Sequence, residues 1–305
     1  MPGVTEPISE LPDVLVLGAG GTLGEAWMRG LLSGVEAANG LDFRRCEYVV
    51  GTSAGSIVAA TLIAGRRLQV GDRAARAWAA EAAVERAAFP LRRVGGGVAR
   101  LTAAAASPLA PVALATLAPA GRAVRAAALA AAPRPEGRLD SVSRHLDALG
   151  ARFDGRLRVA AVERRSGRRV LFGVPGAPET SVRDAVLASC AVPWLFAPVE
   201  IGGREYVDGG VWSPTNLDAA PGGRATHVLC LAPTAAGGPL RAVTTAALIA
   251  EELALRARGM RVRTLAPDAA SVTAMGPSLM DGSRVETVLD AAFAHGRTLA
   301  ATAPA

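Results

Sequence analysis

Short apolar runs that stop at glycine recur along the chain and predict its first elements. In "DVLVLGAGG" a Val/Leu run ends at Gly18, which predicts a fully buried strand over 13–17. The next stretch, "GEAWMRGLLSGVEAAN", has apolar residues at helical spacing and stops at Asn39-Gly40. "CEYVV" reads as a second strand and "AGSIVAATLIAG" as a second helix closed by Gly65. Strand, helix, strand and helix in direct succession predict a parallel sheet with right-handed crossovers.

Strand signals return at 157. "LRVAAVERRSGRRVLFGV" predicts a hairpin turned at Ser166-Gly167. "SVRDAVLASC" predicts a helix capped by Ser181. "VEIGGREYVDGGVW" predicts a second hairpin turned at Gly202-Gly203, and "THVLCLAP" and "RVRTLAPD" two more buried strands. The helix "SRVETVLDAAFAHGRTLA" closes the pattern. No repeat or linker divides the chain, so 1–305 is expected as a single domain with its core in 13–65 and 157–300.

Residues 66–140 differ. Ala and Arg dominate from 66 to 138, interrupted by Gly95–Gly97 and by Pro108, Pro111, Pro119, Pro133 and Pro135. Leu101–Ala120 is apolar enough to raise a membrane span. Its three prolines, scarcity of large side chains, and Arg100 and Arg122 at its ends argue against one. The segment is expected as a variable helical insertion. A cap over the site and plain packing are its two readings.

Composition narrows the partners. The chain has 305 residues, half of them apolar, and a net charge of +6 carried by arginine alone, with no lysine. That charge suits an anionic surface. The arginines are scattered, and four Trp and two Tyr offer few stacking groups, so nucleic acid is not expected. Cys46, Cys190 and Cys230 lack C-x-x-C spacing and are expected as reduced, buried thiols in a cytosolic setting. "MPGVTEPISELPD" does not read as a signal peptide. No His/Cys/acid cluster has metal-ligand spacing, and neither metal nor cofactor is expected.

Three stretches can carry chemistry. "GTSAGS" places Ser53 at G-x-S-x-G spacing between a strand and a helix, where a sharp turn exposes a nucleophilic hydroxyl beside a helix N-terminus. "LGAGGTLG" is a glycine loop whose N–H groups can bind an anion, either a pyrophosphate or an oxyanion. Leu23 stands where a dinucleotide fingerprint needs its third glycine. "YVDGGVWSPTN" sets Asp208 before a glycine pair, either as a turn-former or as a carboxylate aimed at a neighbouring strand end. Asn216 is expected to satisfy backbone groups of that turn.

Glycine loop, serine elbow and distal D-G-G, in this order, resemble the patatin-like phospholipases. "VLVLGAGGTLGEAW", "VVGTSAGSIVAA", "ASCAVPWLFAPVEI" and "YVDGGVWSPTN" carry the resemblance over most of 13–65 and 157–233. It implies a three-layer α/β/α fold with a mostly parallel central sheet. It also implies a lipid acyl hydrolase with a Ser53–Asp208 dyad and an oxyanion hole of backbone N–H groups from Gly20, Gly21 and Ala54. The substrate would be a lipid acyl ester, met through transient contact with a membrane surface by a cytoplasmic protein. The family's loop commonly carries Arg or Lys where this chain has Leu23, and Arg29 is the nearest cation that could substitute. Two other readings stand beside this one. The order Ser53, Asp208, then His227 or His295 suits an α/β-hydrolase esterase, and the same fold could serve as a non-catalytic lipid-binding or nucleotide-binding module.

Overall fold

The structure is a computed structural model in which residues 7–68, 121–235 and 241–300 are described. Eight strands form one sheet: β1 (Val14–Leu17), β2 (Tyr48–Thr52), β3 (Leu157–Glu163), β4 (Arg169–Phe172), β5 (Val199–Ile201), β6 (Arg204–Asp208), β7 (His227–Leu231) and β8 (Arg261–Leu265). Hydrogen bonding follows the path β5-β6-β3-β2-β1-β7-β8, with β4 also on β3. Pairings among β3, β2, β1, β7 and β8 are parallel, whereas β4, β5 and β6 pair antiparallel. The helices among the described residues are α1 (Gly21–Asn39), α2 (Ala54–Ile63), α3 (Gly121–Ala131), α4 (Asp140–Leu149), α5 (Val182–Cys190), α6 (Arg241–Ala257), α7 (Ala269–Met275) and α8 (Val285–Ala300).

Two cores sandwich the sheet because side chains alternate faces along a strand. In β1, Leu15 and Leu17 join one cluster with Trp27, Leu31, Ile57 and Val288. Val14 and Val16 join the other, with Leu248 and Leu255 of α6. The arrangement is therefore three-layered, α/β/α, as expected. Helices α1 and α8 meet backbone to backbone: a Cβ on Gly34 would lie 2.2 Å from Phe293 O, so only glycine permits the approach.

Local signals read from the pattern reappear as geometry. Gly40 ends α1 at φ 75° in the left-handed region, and Ser181 Oγ accepts from Asp184 N to cap α5. The hairpins turn where expected, the first with Gly167 at φ 64° and the second at Gly202 and Gly203, with φ 57° and 72°. Helices α6 and α7 are absent from the pattern reading. α6 is alanine-rich, and α7 is a short helix announced only by the Asp268 cap. Most of the insertion expected at 66–140 lies outside the described residues, including Leu101–Ala120. Its described part holds α3, and α4 begins at its last residue. Among the described residues no helix is long and apolar enough to cross a membrane.

Candidate active site

Ser53 follows the last residue of β2 and precedes the first of α2, with φ 51° and ψ −123°. A non-glycine residue at such angles costs of order 1–3 kcal/mol and persists only where its surroundings impose it. Two features impose it here. A Cβ on Gly55 would lie 2.0 Å from Leu17 O, so α2 is pressed against the end of β1. Ser53 N donates to Ser189 Oγ at 2.8 Å, and that hydroxyl donates to Ala160 O at 2.7 Å. Ser189 is fully buried in α5, and no sequence motif marks it.

Sheet register explains how Asp208 reaches Ser53. β4 pairs with β3 along residues 159–162. β2 pairs with 157–160 and β6 with 161–163, so both must lie on the edge of β3 away from β4. β2 runs up that edge and ends with Thr52 opposite Ala160. β6 runs down it and ends with Asp208 opposite Ala161. One register step, roughly 3.3 Å of rise, separates the two strand ends.

Asp208 is 1% exposed. Its Oδ1 accepts from Gly210 N at 2.7 Å, whereas the buried Oδ2 has no hydrogen-bond partner among the described residues. Burial pushes the carboxyl up to about 7. The nearby Ser53 side chain, short of a formed hydrogen bond to Oδ2, and the Gly210 N–H act in the opposite sense. Asn216 spans the junction. Its Nδ2 donates to Ser213 O, Gly209 O and Thr52 Oγ1, so it satisfies the turn as expected and also ties it to β2. Glu251 supports the same loop from α6, accepting from Thr215 Oγ1 at 2.7 Å and Leu217 N at 2.9 Å.

The glycine loop lies beside the elbow. Gly20 precedes α1 and Gly21 opens it at φ 59°. Among the described residues, the N–H groups of Gly20, Gly21 and Ala54 donate to no acceptor, while Ser53's own N–H is occupied by Ser189. α1 and α2 thus start at adjacent strand ends, with no acidic residue in either first turn, and both point positive ends at this corner. The segment after α7 covers the loop: Leu23 N donates to Leu279 O, and a Cβ on Gly21 would meet Met280 Sδ at 2.6 Å.

Leu23 itself is fully buried in the main core. Arg29 does not take the place of the family's loop cation. It is bound to Glu25 at 2.9 Å and to Thr61 Oγ1 at 3.2 Å, between α1 and α2.

The histidines stand apart from the serine. His227 begins β7, at the level that precedes Val14 and Tyr48, whereas Ser53 follows the opposite end of β2. His295 faces Asp268 at 3.8 Å. His145 in α4 is driven down to about 4 by burial and then by Arg29. The partners of His227 and His295 are Asp13 and Asp268, not Ser53 or Asp208. All three cysteines are buried and none is in a disulfide. Among the described residues no group of three or more His, Cys, Asp and Glu side chains is placed to hold a metal ion.

A strained serine at a strand-to-helix turn, an acid brought beside it on one strand edge, and open N–H groups alongside form an arrangement that can support acyl transfer. The patatin-like phospholipase family model matches residues 15–221, and the chain belongs to that family. Membership places it among the lipid acyl hydrolases. Of solved structures, VipD from Legionella pneumophila is similar at 16% identity and a TM-score of 0.43, over 95% of this chain and 67% of that one. No curated protein matches the chain.

Proposed function

We propose that the protein cleaves acyl esters of phospholipids or related lipids through a Ser53–Asp208 dyad without histidine. One arrangement carries this reading: Asp208 has one oxygen anchored by Gly210 N and the other unpaired, buried and beside Ser53. Ser53 Oγ attacks the ester carbonyl while Asp208 Oδ2 takes its proton. The N–H groups of Gly20, Gly21 and Ala54 receive the oxyanion, aided by the two helix N-termini. Collapse of the tetrahedral species breaks the ester C–O bond, and Asp208 returns the proton to the leaving alcohol. A water deprotonated by Asp208 then attacks the acyl-serine, and its collapse frees the fatty acid and restores Ser53.

A carboxyl near 7 is suited to this work, because it is half ionised at neutral pH and basic enough to accept a proton in the transition state. Hydrogen bonds between catalytic groups are often long without substrate, which fits the open Oδ2. With Leu23 in the loop, the oxyanion is left to backbone dipoles among the described residues.

The histidine-dependent alternative is tested directly. His145→Gln, His227→Gln and His295→Gln are each expected to keep kcat/KM for a short-chain p-nitrophenyl ester within about threefold of the parent, since general-base removal costs about 10²–10⁴. A loss of that larger size at one histidine, with thermal stability unchanged, would replace the dyad by a triad.

A further inference from the structure

Two hairpin tips project past Ser53 at the same end of the sheet. β3 continues three residues beyond the level of Thr52, and its turn to β4 holds Arg165 and Arg168. Arg204 stands four residues before Asp208 on β6, roughly 13 Å further out. Helix α3 is clamped to the first tip: Arg125 Nη1 donates to Gly167 O at 3.1 Å, with its guanidinium 4.4 Å from the Trp212 ring centre. Arg122 O would lie 2.9 Å from a Cβ on Gly167, so Arg122 sits directly over the turn. These pieces enclose an open groove of about 840 Å³.

The groove is cationic and short of counter-charge. Arg122, Arg165, Arg168 and Arg204 are exposed around it. Of its two carboxylates, Glu205 is held by Arg134 and Arg164 at 3.0 Å each, and Glu163 accepts from Ser166 Oγ and faces Arg204 at 3.7 Å. Arg122, Arg165 and Arg168 have no carboxylate partner among the described residues.

We propose that this groove docks the protein on an anionic bilayer, with Arg122, Arg165 and Arg168 meeting lipid phosphates. The proposal rests on the hydrolase reading for its purpose, since it sets Ser53 towards the surface that carries its substrate. Guanidinium groups pair with phosphate oxygens in a bidentate manner and gain from the negative potential of such a surface. Nucleic acid fits less well. The exposed large apolar side chains among the described residues are Val124, Ile249 and Leu253, with no aromatic ring for bases to stack on, and Val124 shares α3 with Arg122.

The test uses Ser53→Ala protein, so that binding is read without turnover and independently of whether the dyad is catalytic. Cosedimentation is measured with vesicles of equal parts phosphatidylcholine and phosphatidylglycerol, and with phosphatidylcholine alone. Binding to the mixed vesicles only, reversed by salt, is expected. Adding Arg122→Gln, Arg165→Gln and Arg168→Gln should weaken partitioning about a hundredfold, from about fivefold per arginine at an anionic surface. The same three positions changed to Lys should retain most of it, and both variants should keep the parent's thermal midpoint. Equal binding by the Gln variant or by phosphatidylcholine alone would overturn the proposal. So would a duplex RNA bound by the parent and lost with the Gln changes while vesicles are ignored. Loss of esterase activity in Ser53→Ala beside intact docking by that same protein separates this claim from the catalytic one.

Discussion

Ser53→Ala is expected to lower kcat for ester hydrolysis by on the order of 10⁴–10⁶, the usual consequence of removing a nucleophile that works as a unit with its base. The fold should survive, because the backbone N–H of residue 53 still donates to Ser189 Oγ. Ser53→Gly sharpens the assignment, since its effects on activity and stability point in opposite directions. It should be equally inactive, yet relieving φ 51° at this turn should stabilise the protein by about 1–2 kcal/mol after glycine's entropic cost. Steady-state assay and thermal unfolding of the two variants check both parts. Residual hydrolysis near the parent's rate in either variant would show that Ser53 is not the nucleophile.

Asp208→Asn carries the second large effect and has a pH signature. With a carboxyl pushed up to about 7, parental kcat/KM should rise through pH 7 and level off above it, as the base becomes ionised. The Asn variant should fall by about 10²–10⁴ and lose that limb. Stability should move the other way. The folded carboxyl binds its proton more tightly than the unfolded one, whose value is 3.8, so its contribution is fully present below about 4 and is lost as pH rises to about 7. The difference is on the order of 4 kcal/mol in alkaline solution. Asp208→Asn should therefore be more stable than the parent at pH 8, and the gap should close towards pH 4. Urea titrations at the two pH values read this directly. A turn-former with no base role would show the stability change, if any, with activity preserved.

The parts of the site that were legible in the sequence are those encoded by contiguous residues. An apolar run stopped by glycine marks β1 and β2, and the residues that follow each run become the glycine loop and the serine elbow. Asp208 was legible through its D-G-G turn and its order in the chain. Its meeting with Ser53 was not, because that depends on β2 and β6 sharing one edge of β3, a register between segments far apart in sequence. Ser189 carries no pattern, since a buried serine in a helix is recognised only by what it bonds. The cover of Leu279 and Met280 over Gly21 is likewise a contact between segments far apart in sequence. Arg29 is different: the i,i+4 spacing of Glu25 and Arg29 was a usable sign that this cation is already paired. Asn216 has the sequence context of a local turn residue, and its bond to Thr52 extends that role across the junction.

Reaction of the folded protein with a fluorophosphonate ester, followed by mass mapping of the modified peptide, asks whether Ser53 is a nucleophile activated by Asp208. One adduct is expected, on Ser53, formed faster as pH rises through about 7 and strongly slowed in Asp208→Asn. No adduct on folded protein, or an adduct on another residue with Ser53 unmodified, would contradict that role.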